Sequence, residues 1–123
     1  MMTAELHSSR LGSLEAKIMR VMWDRAGEYL LVRDVLGLLP DRLTYTSVMT
    51  VMNRLYEKGL LRRRRRGRAW SYRSAVSREA FAAATMAEAL DVADDRRAAL
   101  LHFVADLKAE EAETLRRLLG DED

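Results

Sequence analysis

Five consecutive arginines, Arg62 to Arg66, limit more than any other feature how this chain can fold. Such a run cannot enter a core, because burying unpaired charge costs more than the packing could return. It must lie on a surface element, screened by solvent or by an anion. Its neighbours say which element. Upstream, Val48, Val51, Met52 and Leu55 recur at three- and four-residue steps, the buried stripe of a helix running from about Tyr45 to Lys58. Thr44 suits its N-cap, and Gly59 ends it because glycine accepts the left-handed conformation cheaply. Downstream, Leu60-Leu61 and Ala69–Tyr72 flank Arg65-Arg66-Gly67 as two short strands, with Trp70 and Tyr72 on one face. A helix followed by a hairpin, with seven arginines between Arg62 and Arg73, predicts a winged helix offered to a polyanion.

The preceding residues supply what such a unit needs. Ser13 is a candidate N-cap with Glu15 in the first turn, and Leu14, Ile18, Val21 and Met22 follow at helical spacing beside Trp23. This predicts a helix over roughly 14–25, with Trp23 in the core. Glu28 to Leu30 suits a short strand that pairs with the wing. Val32, Val35, Leu36 and Leu39 give a second helix of about two turns, stopped by Pro40. Its position just before the third helix is that of a helix-turn-helix. Met1 to Leu11 has no periodicity and reads as a tail.

Charge separates the chain into two parts. Residues 1–75 carry 15 Lys and Arg against 7 Asp and Glu, a balance of +8, while residues 76–123 carry 6 against 12, a balance of −6. A polyanion attracts the first part and repels the second, so the two have different tasks. Of the 21 basic residues 18 are arginine. A GC-rich genome would give that ratio too, but not the clustering. In the second part Ser77 and Asp94 are candidate caps for an alanine-rich helix over Arg78–Ala89 and for a following segment. A last segment covers Glu110–Leu119. These short helices are each apolar on one broad side and too few to bury those sides alone, so a second copy is expected to cover them. The predicted homodimer interface comprises Phe81, Met86, Leu90, Leu101, Val104, Leu115, Leu118 and Leu119. The fold expected is mainly α with a small antiparallel wing: a winged helix-turn-helix over 12–75 and a helical dimerisation domain over 76–123.

Several function classes fall away. Cysteine is absent, which removes disulfides, thiolate metal sites and cysteine nucleophiles and fits a cytoplasmic protein. With only His7 and His102 there is no dedicated metal site, and no cofactor is called for. No apolar run reaches the eighteen or so residues of a membrane span, so no membrane insertion is expected. No base–nucleophile set or phosphate-cradling glycine loop points to an enzyme.

Double-stranded DNA is the polyanion that fits best. The third helix presents Thr46, Ser47, Met49 and Thr50 in its first two turns, where a recognition helix reaches base edges. Hydroxyls exchange hydrogen bonds with bases or phosphates, and methyl and thioether groups pack against thymine. Thr44 and Tyr45 open that helix and Arg54 lies further along it. Arg65, Arg66 and Arg68 are the expected phosphate contacts of the wing. Tyr56 suits either a phosphate contact or packing beneath the wing. Double-stranded RNA fits less well because its major groove is too narrow for the helix.

These motifs together resemble the penicillinase-repressor family of winged-helix regulators. The likeness is carried by Leu14-Glu15, Val21-Met22-Trp23, the run Thr44 to Leu55, Lys58-Gly59-Leu60-Leu61 and Gly67 to Tyr72. Leu101 to Val104 and Glu110-Glu111 add to it, so that it spans residues 12–119. The resemblance implies a sequence-specific dimeric transcriptional repressor on a palindromic operator, controlling beta-lactam resistance or cell-wall genes, with base contacts from Thr46, Ser47, Met49 and Thr50. In staphylococcal relatives the position of Met49 is often basic. In relatives that answer to beta-lactams, a membrane sensor-protease pathway leads to cleavage between Asn and Phe in the dimerisation half. Here His102-Phe103 stands at the matching place. The copper-responsive branch uses a cysteine site that this chain lacks. The alternative is an architectural DNA binder of low sequence preference.

Overall fold

The computed structural model describes residues 11–120; of the tail expected over Met1 to Leu11, residues 1–10 lie outside the described residues, while Leu11 packs partly against the core. The order of elements is α1 (Ser13–Asp24), β1 (Leu30–Leu31), α2 (Val32–Leu38), α3 (Tyr45–Glu57), β2 (Leu61–Arg66), β3 (Ala69–Ser74), α4 (Arg78–Leu90), α5 (Arg96–Ala105) and α6 (Ala109–Leu118). The expected mainly α architecture with a small antiparallel sheet is what the chain adopts. No described helix is long and apolar enough to cross a membrane.

Two compact units divide the chain, one reaching Glu88 and the other beginning at Ala89. The first has a single core. Ile18, Met19 and Met22 of α1, Val32 and Val35 of α2, and Val48, Val51, Met52 and Leu55 of α3 close on Leu30, Leu39, Leu60, Leu61 and Tyr72. Each fully buried side chain of this size contributes about 1.5–3 kcal/mol. The stripe expected on α3 is the set of residues that α3 buries. Thr44 caps that helix by accepting from the Ser47 amide at 3.0 Å. Gly59 ends it with φ +84°, a conformation that a side chain would strain.

The sheet order is β1-β3-β2, all antiparallel. Leu30 and Leu31 pair with Tyr72 and Ser71, so a short strand does pair with the wing, over Leu30–Leu31 rather than the expected Glu28 to Leu30, and β3 becomes the central strand. Gly67 takes φ +67° in the turn between β2 and β3.

Several local expectations shift. Gly12, not Ser13, precedes the first turn of α1, and its amide donates to Glu15 Oε1 at 2.9 Å. Glu15 is thereby buried, as is Met19, while Leu14 and Val21 are only partly covered. Leu39 is buried just beyond the end of α2, because the chain turns inward before Pro40. Ser77 caps α4 as expected, accepting from the Ala80 amide at 2.9 Å.

Trp23 packs against the core and donates from Nε1 to the Val76 carbonyl at 3.0 Å. Its ring meets Phe81 at 5.4 Å between centroids. These contacts carry the first unit past residue 75, the boundary expected from the shift in charge. An exposed ion pair between Arg78 and Asp24 at 2.9 Å adds little to them.

In the second unit, Asp95 rather than Asp94 caps α5, accepting from the Ala98 amide at 3.1 Å. The Lys108 amide donates to Glu111 at 3.0 Å at the start of α6. Neither α5 nor α6 buries a residue.

Candidate nucleic-acid interface

The apolar stripe of α3 faces inward, which leaves Tyr45, Thr46, Ser47, Met49, Thr50 and Arg54 exposed. Met49 is 41 % exposed, the one large apolar side chain in the middle of this hydroxyl-bearing surface. Not all the hydroxyls are equally free. Thr44 Oγ1 accepts the Ser47 amide and donates to Ser47 Oγ at 2.9 Å, so these two side chains help build the helix start. Thr46 and Thr50 have no such tie among the described residues.

A partly buried ion pair anchors the other end of α3. Lys58 Nζ lies 2.9 Å from Glu15 Oε2, joining the end of α3 to the start of α1. Burial alone would raise the Glu15 pKa. The Lys58 hydrogen bond, the Gly12 amide and the charges of Lys58 and Arg54 outweigh it and hold the carboxyl below its ordinary value. Arg54 is exposed, and part of its field falls on Glu15.

The hairpin distributes its arginines by strand alternation. The register sets Arg63 opposite Tyr72, Arg65 opposite Trp70, Arg62 opposite Arg73 and Arg64 opposite Ser71. Arg63 and Arg65 therefore share the face of Trp70, while Arg62, Arg64 and Arg66 lie on the other. Aromatic rings take up part of the charge. Arg63 sits 3.9 Å from the Tyr56 centroid and 4.3 Å from that of Trp70, and Arg65 lies 4.7 Å from the same Trp70 ring. On the opposite face Arg64 covers Tyr29 at 3.8 Å, with Arg73 at 5.8 Å. The mutual repulsion expected of five consecutive arginines is thus relieved within the chain, by separation onto two faces and by ring contacts.

Arg66 and Arg68 are exposed, and their guanidinium groups make no ion pair or hydrogen bond among the described residues. They line an open groove of about 470 Å³ together with Arg33 of α2 and Tyr45 of α3. None of the described residues lining it is acidic. Arg33 is the residue that sequence reading missed. Nothing marks it in a two-turn helix; only the pairing of Leu31 with Ser71 sends the start of α2 toward Ala69 and the hairpin turn. The groove suits a phosphate chain running from the reading helix to the wing.

The comparisons with known proteins decide the kinship of this arrangement. The family model described as penicillinase repressor matches residues 11–121. The chain belongs to the penicillinase-repressor family. Two relatives, each named transcriptional regulator BlaI and each from a strain of Mycobacterium tuberculosis, are 42 % identical over 118 residues, covering 92 % of this chain and 85 % of theirs. The likeness therefore takes in both units, as the family motifs implied.

The side chains expected at a dimer interface are distributed unevenly. In the first unit Met86 is exposed, whereas Phe81 is half-buried against Trp23 of its own chain. In the second, Leu101, Val104, Leu118 and Leu119 are exposed, and Leu90 and Leu115 are half-buried. The His102–Phe103 bond lies in the last turn of α5 with both side chains exposed.

Proposed function

We propose that this chain is a sequence-specific transcriptional repressor that binds duplex operator DNA as a homodimer. The observation that carries the reading is the joint exposure, on a member of this family, of the start of α3 and of an arginine hairpin beside it. Thr46, Met49 and Thr50 meet base edges in the major groove, with Ser47 and Tyr45 at the entrance. Arg33, Arg65, Arg66 and Arg68 take backbone phosphates on either side. The exposed leucines of α5 and α6 pair two copies, which sets two reading helices on successive major grooves of a palindromic site. Linking two weak sites gives an avidity that neither has alone.

The relatives' name supports a place in the cytoplasm and control of beta-lactam resistance or cell-wall genes. Release follows when the dimerisation region is disrupted. Cleavage at His102–Phe103 through a membrane sensor-protease pathway is the proposed route, and it requires the last turn of α5 to unwind.

A mobility-shift titration on the protein's own upstream region, at two salt concentrations, tests the reading. Thr46→Ala or Thr50→Ala should weaken operator binding while sparing unrelated DNA. Arg66→Gln should weaken both and flatten the dependence of affinity on salt by about 0.9 per lost phosphate. Weak binding with no preference for the upstream region would refute the repressor reading. It would favour an architectural binder, a second reading that draws on the lack of a bidentate base reader in the first two turns of α3.

A further inference from the structure

One arginine of the hairpin is not placed like the others. Arg63 is half-buried, its guanidinium lying between the Tyr56 and Trp70 rings at 3.9 and 4.3 Å. Its Nη1 donates to Asn53 Oδ1 at 2.9 Å. Tyr56 and Asn53 stand three residues apart and so present one face of α3, while Trp70 belongs to β3. A single side chain on β2 thus joins the reading helix to the far strand of the wing.

We infer that Arg63 is a positioning residue that sets the angle of the wing to the reading helix and contributes no phosphate contact of its own. The inference rests on the DNA-binding reading above. The covalent link at Gly59 fixes only the root of the hairpin, and β1 holds β3 only at Tyr72 and Ser71. Trp70 also packs against the core that α3 helps to form, but Arg63 is the side chain that bonds the hairpin to the Asn53–Tyr56 flank of α3. The guanidinium carbon lies over both rings, and the Asn53 hydrogen bond fixes its rotation. An ammonium group, compact and without a plane, can do neither. Arg65, Arg66 and Arg68 lie beyond this clamp, toward the turn, and depend on it for their reach to the backbone. Asn53, with its carbonyl oxygen engaged by Arg63, serves as an anchor of the clamp and not as a base reader.

The test is the salt dependence of binding to duplex DNA by the full chain and by Arg63→Lys, which keeps the charge but loses the stack. A direct phosphate contact would survive in the lysine variant with an unchanged slope. The positioning role predicts a slope reduced by roughly three phosphates' worth, about 2.7, because Arg65, Arg66 and Arg68 lose their reach together. Tyr56→Phe should be silent, since the ring and not the hydroxyl carries the contact. Loss of slope in the phenylalanine variant would assign Tyr56 to phosphate and overturn the clamp. Where circular dichroism shows Arg63→Lys unfolded at the assay temperature, Asn53→Ala decides: a reduced slope supports the inference and an unchanged one overturns it. Wild-type binding is the control. Its absence sinks the DNA reading itself, whereas wild-type binding with an unchanged Arg63→Lys slope sinks only the clamp.

Discussion

The two units spend their apolar residues differently. In the first, Ile18, Met22, Val48, Met52 and Leu55 are wholly enclosed, drawn from α1 and α3 and packed with residues of a small sheet. In the second, Leu101 is 61 % exposed and Leu118 78 % exposed, and no helix there buries a residue. Both segments have amphipathic helices with proper caps, so helix formation is not what separates them. The difference is whether enough surface exists within one chain to close over the apolar sides. The first unit carries its own interior, whereas the second has an interior only if another surface supplies half of it.

The largest effect should come from the enclosed side. Leu55→Ala should cost about 2–5 kcal/mol in the unfolding free energy of the first unit, read by denaturant titration. Leu118→Ala in dilute protein should change that same transition by less than about 0.5 kcal/mol. Equal costs for the two at every protein concentration would break the contrast between the units. Next in size, Leu101→Asp combined with Leu118→Asp should weaken self-association roughly 30-fold or more, on the scale of about 2 kcal/mol for an interface anchor. Sedimentation equilibrium measures it, and an unchanged constant would place the pairing surface elsewhere.

Smallest is the ion pair under the reading helix. Lys58→Met leaves Glu15 buried without its cation and should cost about 1–3 kcal/mol. The sign with pH follows from the lowered pKa of Glu15. Its contribution is full above the ordinary value of 4.5 and is lost as pH falls from there through the lower folded value. Stability measured from pH 6 to pH 3 should therefore fall less steeply in Lys58→Met than in the wild type. Parallel curves would show that the pair does not matter to acid stability.

Most of the first unit was legible in the residues. The stripe Val48–Leu55, the cap at Thr44, the stops at Gly59 and Pro40 and the hairpin turn at Gly67 each rest on local geometry, so spacing alone reveals them. What escaped depended on contacts distant in sequence. Glu15 looks like an ordinary helix-dipole acid until Lys58, 43 residues away, meets it. Tyr29 carries no sign that an arginine will cover it, whereas the contact of Tyr56 with the wing is one of the two readings its position offers. Arg33 joins the groove only because β1 docks on β3. Phe81 matches the apolar pattern of an interface helix, and its contact with Trp23, 58 residues earlier, has no sign in that pattern. Charge gives no hint that the Arg run divides between two faces; the strand register imposes that division.

The central claim is that enclosed units read DNA while exposed leucines hold two of them together. Chemical footprinting of the full chain on its own upstream DNA tests both halves at once. The account predicts two protected segments on one side of the duplex, centred roughly one helical turn apart. A single short protected segment, or protection spread without defined ends, would contradict it.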